Sequence, residues 1–274
     1  MNLKDKVGFI TGGVSGIGYA TAELLLQHGA KVAVIDVNSE AGRTAVSNLA
    51  VKYGEANVIF VKCDVTEDGD IEEAFKQTIA KYGRLDVIMN NAGILNESNY
   101  KLMISVNLTA AITGTMLGMK YLRKDQGGNG GVILNMSSIS GLKPSLCLPA
   151  YAATKHGIVG YTRSMANSMA ADINVHGVRF NCVCPEFTDT PMVRSLESVD
   201  SLNRRGIHHA QALSNYVSEN VDGMIKVSYI ADNIIKLLAD ETKNGAAMLI
   251  TSKGVAFIDP PEHPYFSDRA NLKR

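Results

Sequence analysis

The sequence predicts a doubly wound α/β fold built on one parallel sheet, and three observations carry that expectation. Short apolar runs alternate with longer helical patterns along most of the chain. A glycine-rich stretch joins the first run to the first helix, and several runs end in polar residues suited to a ligand. Seven runs read as strands: Val7–Thr11, Val32–Asp36, Val58–Val61, Val87–Asn90, Val132–Met136, Val178–Val183 and Met248–Thr251. Between them, Ile17–His28, Ser39–Tyr53, Asp70–Tyr82, Tyr100–Leu122, Tyr151–Ala171 and Ser228–Ala239 are long enough for right-handed crossovers between parallel strands. Gly127–Gly131 is a turn ahead of the fifth strand. The alternation pauses from Phe187 to Val227, so residues 187–227 are expected to form a lid over a substrate pocket. Residues 255–274 are expected to be a C-terminal tail. No repeat or linker divides the chain, which is expected to fold as a single domain of 274 residues.

Composition excludes several functions. Lys and Arg number 27, as do Asp and Glu, so charge alone attracts neither nucleic acid nor an anionic membrane. Met1–Lys6 is too short and polar to be a signal peptide ahead of the first strand, and a cytoplasmic protein is expected. Leu102–Met119 is an uncharged run of 18 residues, but Ser105, Asn107, Thr109, Thr113 and Thr115 within it argue for a buried helix rather than a membrane span. Cys63, Cys147, Cys182 and Cys184 read as small buried side chains, with Cys182 and Cys184 on opposite faces of a strand. The six histidines form no ligand pattern with them, and no metal is expected.

The segment Thr11–Gly18 places Gly12, Gly16 and Gly18 where the backbone turns tightly from strand to helix. A pyrophosphate can approach the N–H groups of Ser15, Gly16 and Ile17 there. An ordinary glycine turn uses the same residues, and only the position between strand and helix favours the ligand. Asp36 ends the second strand, 18 residues beyond Gly18, where a carboxylate can accept hydrogen bonds from a ribose and repel a 2′-phosphate. That choice, with the uncharged Ser15 and Val37 nearby, favours NAD over NADP; a helix N-cap is the other use of such an Asp. Cys63-Asp64-Val65 and Asn90-Asn91-Ala92-Gly93 follow the third and fourth strands at the ends where ligands bind in open α/β sheets. Three successive strands thus end in residues suited to a dinucleotide, as in a Rossmann-type sheet.

Tyr151 and Lys155 lie four apart at the start of a helix and share one face; Ser138 ends the fifth strand thirteen residues before Tyr151. A tyrosine hydroxyl, with a pKa of about 10, is a poor base at neutral pH, but a nearby ammonium stabilises the phenolate. Tyr151 can then act as general base on an alcohol whose oxygen Ser138 holds.

These motifs together resemble the short-chain dehydrogenase/reductase family, from Lys6 to about Thr251. Thr11–Gly18 is similar to its Thr-Gly-x-x-x-Gly-x-Gly loop, Asn90–Gly93 to its Asn-Asn-Ala-Gly element, and Ser138, Tyr151 and Lys155 to its catalytic triad. The resemblance implies that Asn107 completes a tetrad by anchoring a water that relays protons from Lys155, and that Lys155 also binds the nicotinamide ribose. It further implies that Asn91, Ala92, Gly93, Tyr151, Pro185, Phe187, Thr188 and Thr190 contact the cofactor, NAD. Glu186 stands where the family has Gly, which puts the local backbone angles in question.

Within the family, the likeness extends to members that oxidise lipophilic secondary alcohols such as prostaglandins, steroids or terpenoids. Leu148 replaces a polar amide of the prostaglandin-oxidising members, so the pocket is expected to be more apolar, lined by Leu142, Cys147, Leu148, Phe187 and residues from Ser195–Met224. Ser138, Leu148, Tyr151 and Phe187 are the expected substrate contacts. The chain is thus expected to be an NAD-dependent alcohol dehydrogenase, a homodimer or homotetramer joined through its long apolar helices. A catalytically silent NAD(H)-binding protein and an NADPH-dependent carbonyl reductase are the alternatives.

Overall fold

The computed structural model describes residues 1–145, 147–219 and 223–260. Its strands are β1 (Val7–Thr11), β2 (Lys31–Asp36), β3 (Val58–Lys62), β4 (Val87–Asn90), β5 (Gly131–Met136), β6 (Val178–Pro185), β7 (Ala247–Thr251) and β8 (Gly254–Ile258). They form one sheet in the order β3-β2-β1-β4-β5-β6-β7-β8, parallel except for β8. The strand order reverses between β1 and β4, which opens a crevice at the carboxyl ends of these strands.

The first correction to the sequence reading is β8. Residues 255–258, assigned above to the tail, continue from Gly254 as a strand that pairs antiparallel with β7 from Thr251↔Gly254 to Ala247↔Ile258. Gly254 makes the tight return with φ +136°, and Arg163 donates to the Ile258 carbonyl. Val255 and Phe257 stay partly exposed, so this short edge strand lacks the deep apolar pattern of the central strands. The remainder of the expected tail, residues 261–274, lies outside the described residues.

The parallel strands are buried on both faces, which is why they read as continuous apolar runs. Helices α1 (Gly16–Gln27) and α2 (Ser39–Tyr53) pack on one face and α3 (Asp68–Tyr82) on the other. Next come α4 (Tyr100–Ile104) and α5 (Ala110–Leu122), separated by a π turn at Ser105–Thr109. Then follow α6 (Pro149–Ser168), α7 (Ile173–His176), α8 (Pro191–Arg194), α9 (Val199–Arg204), α10 (Ala210–Glu219) and α11 (Val227–Ala239). α11 joins α1 and α2, while α5 and α6 join α3.

The apolar run Leu102–Met119 spans α4, the π turn and α5. Met103, Asn107, Thr115 and Met119 are buried in it, while Leu102, Ile104 and Met116 are exposed. Cys182 and Cys184 share one face of β6, contrary to expectation. Side chains on a strand alternate with a period of two, so residues two apart point the same way; both thiols pack with Ala111, Ile158 and Val159.

Within residues 187–227, helices α8 to α10 build a small cluster of Leu196, Leu202, Ile207, Leu213 and Val217 against Leu95, Cys147 and Leu148. Its two ends are pinned together: the Asp189 N–H donates to the Ile225 carbonyl at 2.9 Å, and the Ile225 N–H to the Phe187 carbonyl at 3.0 Å. At the opposite end of the sheet, Asp86 is buried. It accepts from Arg84 at 2.8 and 2.6 Å and from the Val7 N–H at 3.0 Å, with Lys6 at 3.4 Å.

Candidate active site

At the reversal point the β1–α1 connection closes on the end of β4. The Thr11 hydroxyl oxygen accepts from the N–H groups of Asn91 and Ala92, each at 3.0 Å, and the Asn91 amide donates to the carbonyls of Thr11 and Gly12 at 2.9 and 3.0 Å. Glycine is required by this proximity. Gly12 has φ +62° and a Cβ there would lie 2.9 Å from Ala92 Cα; a Cβ on Gly18 would lie 2.4 Å from the Gly12 carbonyl oxygen. Gly16, with φ +53°, opens α1 beside Thr190. Ser15 is extended and its side chain makes no cap, which leaves the first-turn N–H groups for a ligand.

Asp36 ends β2, where its Oδ1 accepts the Asn38 N–H at 3.0 Å; Val37 beside it is exposed. Asp64 accepts from the N–H and hydroxyl of Thr66 at 2.9 and 2.7 Å, shaping the turn after β3. Cys63 is buried there, and burial plus the carboxylates of Asp70, Asp64 and Asp36 pushes its thiol up to about 12, so it is an inert wall rather than a nucleophile. Gly12, Ser15, Gly16, Ile17, Asp36, Val37, Cys63, Asp64, Val65, Asn91, Ala92 and Gly93 all line one cavity of about 510 Å³. The glycine cradle, the uncapped helix start and the acid at the end of β2 fit a dinucleotide with an unphosphorylated 2′-hydroxyl.

The same cavity reaches Ser138, Tyr151 and Lys155. β5 delivers Ser138, whose Oγ accepts the Ser140 N–H at 3.2 Å, and α6 delivers the other two. Lys155 is buried; its Nζ donates to the Met136 carbonyl at 3.0 Å, and burial lowers its pKa to about 8. Burial likewise pushes the Tyr151 phenol up to about 12, against the opposing pull of its hydrogen bond with Ser138. Ser137 anchors the other side of this helix, donating from Oγ to the Lys155 carbonyl at 2.9 Å.

Asn107 sits in the π turn, buried. Its Oδ1 accepts the Ile94 N–H at 2.8 Å, and its Nδ2 donates to the Ile94 carbonyl at 2.9 Å and to Thr154 Oγ1 at 3.4 Å. A π turn inserts an extra residue into a helix and commonly marks a functional site. Gly93 lies where Asn107 and Lys155 meet: a Cβ on it would be 3.5 Å from Asn107 Oδ1 and 3.7 Å from Lys155 Nζ.

The Thr-Gly-x-x-x-Gly-x-Gly loop, the Asn-Asn-Ala-Gly element and the Ser-Tyr-Lys set thus converge on one cavity. The family model described as short chain dehydrogenase matches residues 6–201. The chain belongs to the short-chain dehydrogenase family. It is 42% identical to mouse 15-hydroxyprostaglandin dehydrogenase [NAD(+)], over 94% of this chain and 95% of that protein. It is 31% identical to rice momilactone A synthase, over 87% of this chain and 85% of that protein. The crystal structure of levodione reductase superposes with a TM-score of 0.77 at 29% identity, covering 91% of this chain and 97% of that one.

Pro185, Glu186, Phe187, Thr188 and Thr190 line the cavity as well. The doubt raised by Glu186 is resolved by its backbone. Among the described residues the only non-glycines at positive φ are Asp5 and His209, so Glu186 needs no glycine-like angle; its N–H donates to the Ile250 carbonyl at 2.9 Å. The catalytically silent alternative thereby loses its one support. Thr190 also N-caps α8, accepting from the Val193 N–H at 3.3 Å.

Leu148 and Phe187 line the cavity as expected, joined from Ser195–Met224 by Leu196. Leu142 and Cys147 do not: Leu142 packs beside Cys182 and Cys184, and Cys147 sits beneath the α8–α10 cluster. Sequence reasoning missed Leu95, Leu102, Val106, Met192 and Val193 in the lining, and it missed Glu97, whose carboxylate reaches the start of α6. A signal existed for the last: Leu148 precedes a helix without offering a capping oxygen.

Proposed function

We propose that this chain is a cytoplasmic NAD-dependent dehydrogenase that interconverts a secondary alcohol and a ketone on a lipophilic molecule of prostaglandin, steroid or terpenoid type. The observation that carries the reading is the single cavity in which Ser138, Tyr151 and Lys155 face a wall of Leu95, Leu102, Val106, Leu148, Met192 and Leu196. Apolar walls with a few convergent polar groups favour a largely hydrocarbon substrate oriented through one oxygen. The relatives support the class, because the mouse protein is named for a hydroxyprostaglandin and the rice protein for momilactone A.

In this mechanism Tyr151 takes the alcohol proton during oxidation and returns one during reduction, and the Ser138 hydroxyl donates to the substrate oxygen. NAD, when bound, supplies the hydride acceptor. Gly12, Ser15, Gly16 and Ile17 would hold its pyrophosphate, Asp36 its adenosine ribose, and Asn91, Ala92, Gly93, Pro185, Phe187, Thr188 and Thr190 its nicotinamide half. Lys155 stabilises the Tyr151 phenolate and would also hold the nicotinamide ribose. Asn107 would anchor a water that relays protons from Lys155. Residues 187–227 act as the lid, closing apolar side chains over the reacting carbon and excluding water.

The exposed Tyr100, Leu102, Ile104 and Met116, along one helical run, support a homo-oligomer. Light scattering at micromolar concentration tests this, and a monomeric mass contradicts it. The activity itself is tested by fluorescence titration with NADH and NADPH, then by a panel of lipophilic secondary alcohols with NAD. Preferred NADH binding with turnover is the expected result; NADH binding without turnover across the panel overturns the reading.

A further inference from the structure

The short turn Glu97–Asn99 leads from the Asn90–Gly93 segment into α4, and its carboxylate crosses to the catalytic helix. Glu97 Oε2 accepts the Ala150 N–H at 3.0 Å, and Oε1 accepts the Tyr151 N–H at 2.9 Å. These are two of the donors that every helix start leaves unpaired. α6 has no local partner for them. Leu148, in the N-cap position, carries no side-chain oxygen, and Pro149 occupies the first turn. The acid that a helix start favours has therefore been supplied from more than fifty positions away in the chain.

We propose that Glu97 is a positioning residue for Tyr151, holding the first turn of α6 so that the phenol stays on Ser138 and beside Lys155. The inference rests on the oxidoreductase reading above. Tyr151 is only the third residue of α6, so its backbone is in the part of a helix most prone to fray, and both Glu97 bonds fall on that turn. Lys155 lies one turn further in, held by Met136 through its side chain and by Ser137 through its backbone. Loss of the clamp should thus loosen the tyrosine while sparing the lysine and the glycine cradle.

The neighbouring residue ties this clamp to the lid. The Ser98 N–H donates to the Arg205 carbonyl at 2.8 Å, while its hydroxyl, 2.8 Å from Asn96 Oδ1, also lies 3.3 Å from the Arg204 carbonyl. Gly206, at φ +67°, lies so close that a Cβ on it would stand 3.0 Å from Ser98 Cβ. Adjacent residues of one turn therefore grip the end of α9 and the start of α6.

The test compares wild type, Glu97→Ala and Glu97→Gln with NAD and the best alcohol of the panel, with NADH titrated in parallel. Small displacements of a catalytic group are expensive, so Glu97→Ala should lower kcat about tenfold or more. KM for the alcohol and NADH affinity should stay within about threefold of wild type, because Glu97 itself does not line the cavity and the glycine cradle and the other apolar wall residues keep their own supports. Glu97→Gln keeps one acceptor oxygen and should recover part of the loss in kcat. Circular dichroism at the assay temperature establishes which variants are folded, and Glu97→Gln carries the comparison if the alanine variant is not. A folded Glu97→Ala with kcat within about twofold of wild type overturns the proposal, as does a variant that loses kcat, KM and NADH affinity together. A wild-type chain that binds NADH but turns over no alcohol overturns the oxidoreductase reading instead, and this inference with it.

Discussion

The Lys155 ammonium stands 5.5 Å from the centre of the Tyr151 ring while donating to the Met136 carbonyl at 3.0 Å. The backbone of β5 thus fixes the cation, and the cation in turn sits where it can stabilise a phenolate. Burial opposes charge on both groups, raising the phenol to about 12 and lowering the ammonium to about 8, and in the proposed mechanism it is their adjacency that would favour the phenolate.

Removing the phenol isolates its chemical role. Tyr151→Phe keeps the ring and its packing, so NADH affinity should hold, while kcat should fall by about 10²–10⁴-fold, the range for a lost general acid–base group. Steady-state kinetics beside NADH titration checks both. Undiminished turnover would assign the proton transfer to another residue.

The same burial sets a pH signature in stability. Lys155 has its pKa lowered from 10.5 to about 8, so between those values the unfolded chain holds a proton that the folded chain has released, and stability from this residue rises with pH. Tyr151 acts oppositely, because from pH 10.0 to about 12 the folded chain keeps a proton that the unfolded chain loses. Lys155→Met should therefore gain most in Tm over wild type at about pH 7, and progressively less toward about pH 9.5. Calorimetry across that window reads the difference, and a constant gap would contradict this origin.

Asp36 is expected to discriminate between cofactors by repelling a 2′-phosphate. Asp36→Ala should weaken NADH and strengthen NADPH, moving the ratio of affinities by about tenfold or more. Competitive fluorescence titration measures it. An unchanged ratio would leave Asp36 only its bond to the Asn38 N–H.

Asp86 predicts a stability loss remote from the site. Asp86→Ala leaves the Val7 N–H without its acceptor and frees Arg84 and Lys6, both partly exposed and able to turn to water. The cost is about 2–3 kcal/mol, smaller than for a fully buried pair. That corresponds to a Tm lower by about 3–6 °C for a chain of this size. NADH affinity should be unchanged, and a loss of binding would show that this end of the sheet is coupled to the crevice.

Where sequence periodicity erred, it did so for local reasons. β8 is short and half exposed at a sheet edge, so its apolar residues resemble those of a tail. Cys182 and Cys184 were misplaced by their faces, not by their strand. Glu186 looked incompatible with a glycine position only until its φ was known. Glu97 was invisible because nothing in Glu97-Ser98-Asn99 itself refers to α6; the bond exists only once β4, α4 and α6 are assembled.

By itself the sequence determined the doubly wound sheet, the glycine loop at the first strand–helix turn, and Tyr151 and Lys155 as a pair on one helix face. Each is local: apolar periodicity, glycine at a tight turn, and an i, i+4 pair on one helix face are written in neighbouring residues. Only the tertiary structure decided that Leu142 and Cys147 stay out of the cavity, that Met136 holds Lys155 through a carbonyl, and that Glu97 caps the helix bearing Tyr151. Those relationships depend on which backbone groups long-range packing brings within hydrogen-bond reach. A backbone carbonyl or N–H is present at nearly every residue, so the sequence has no letter that marks the one to be used.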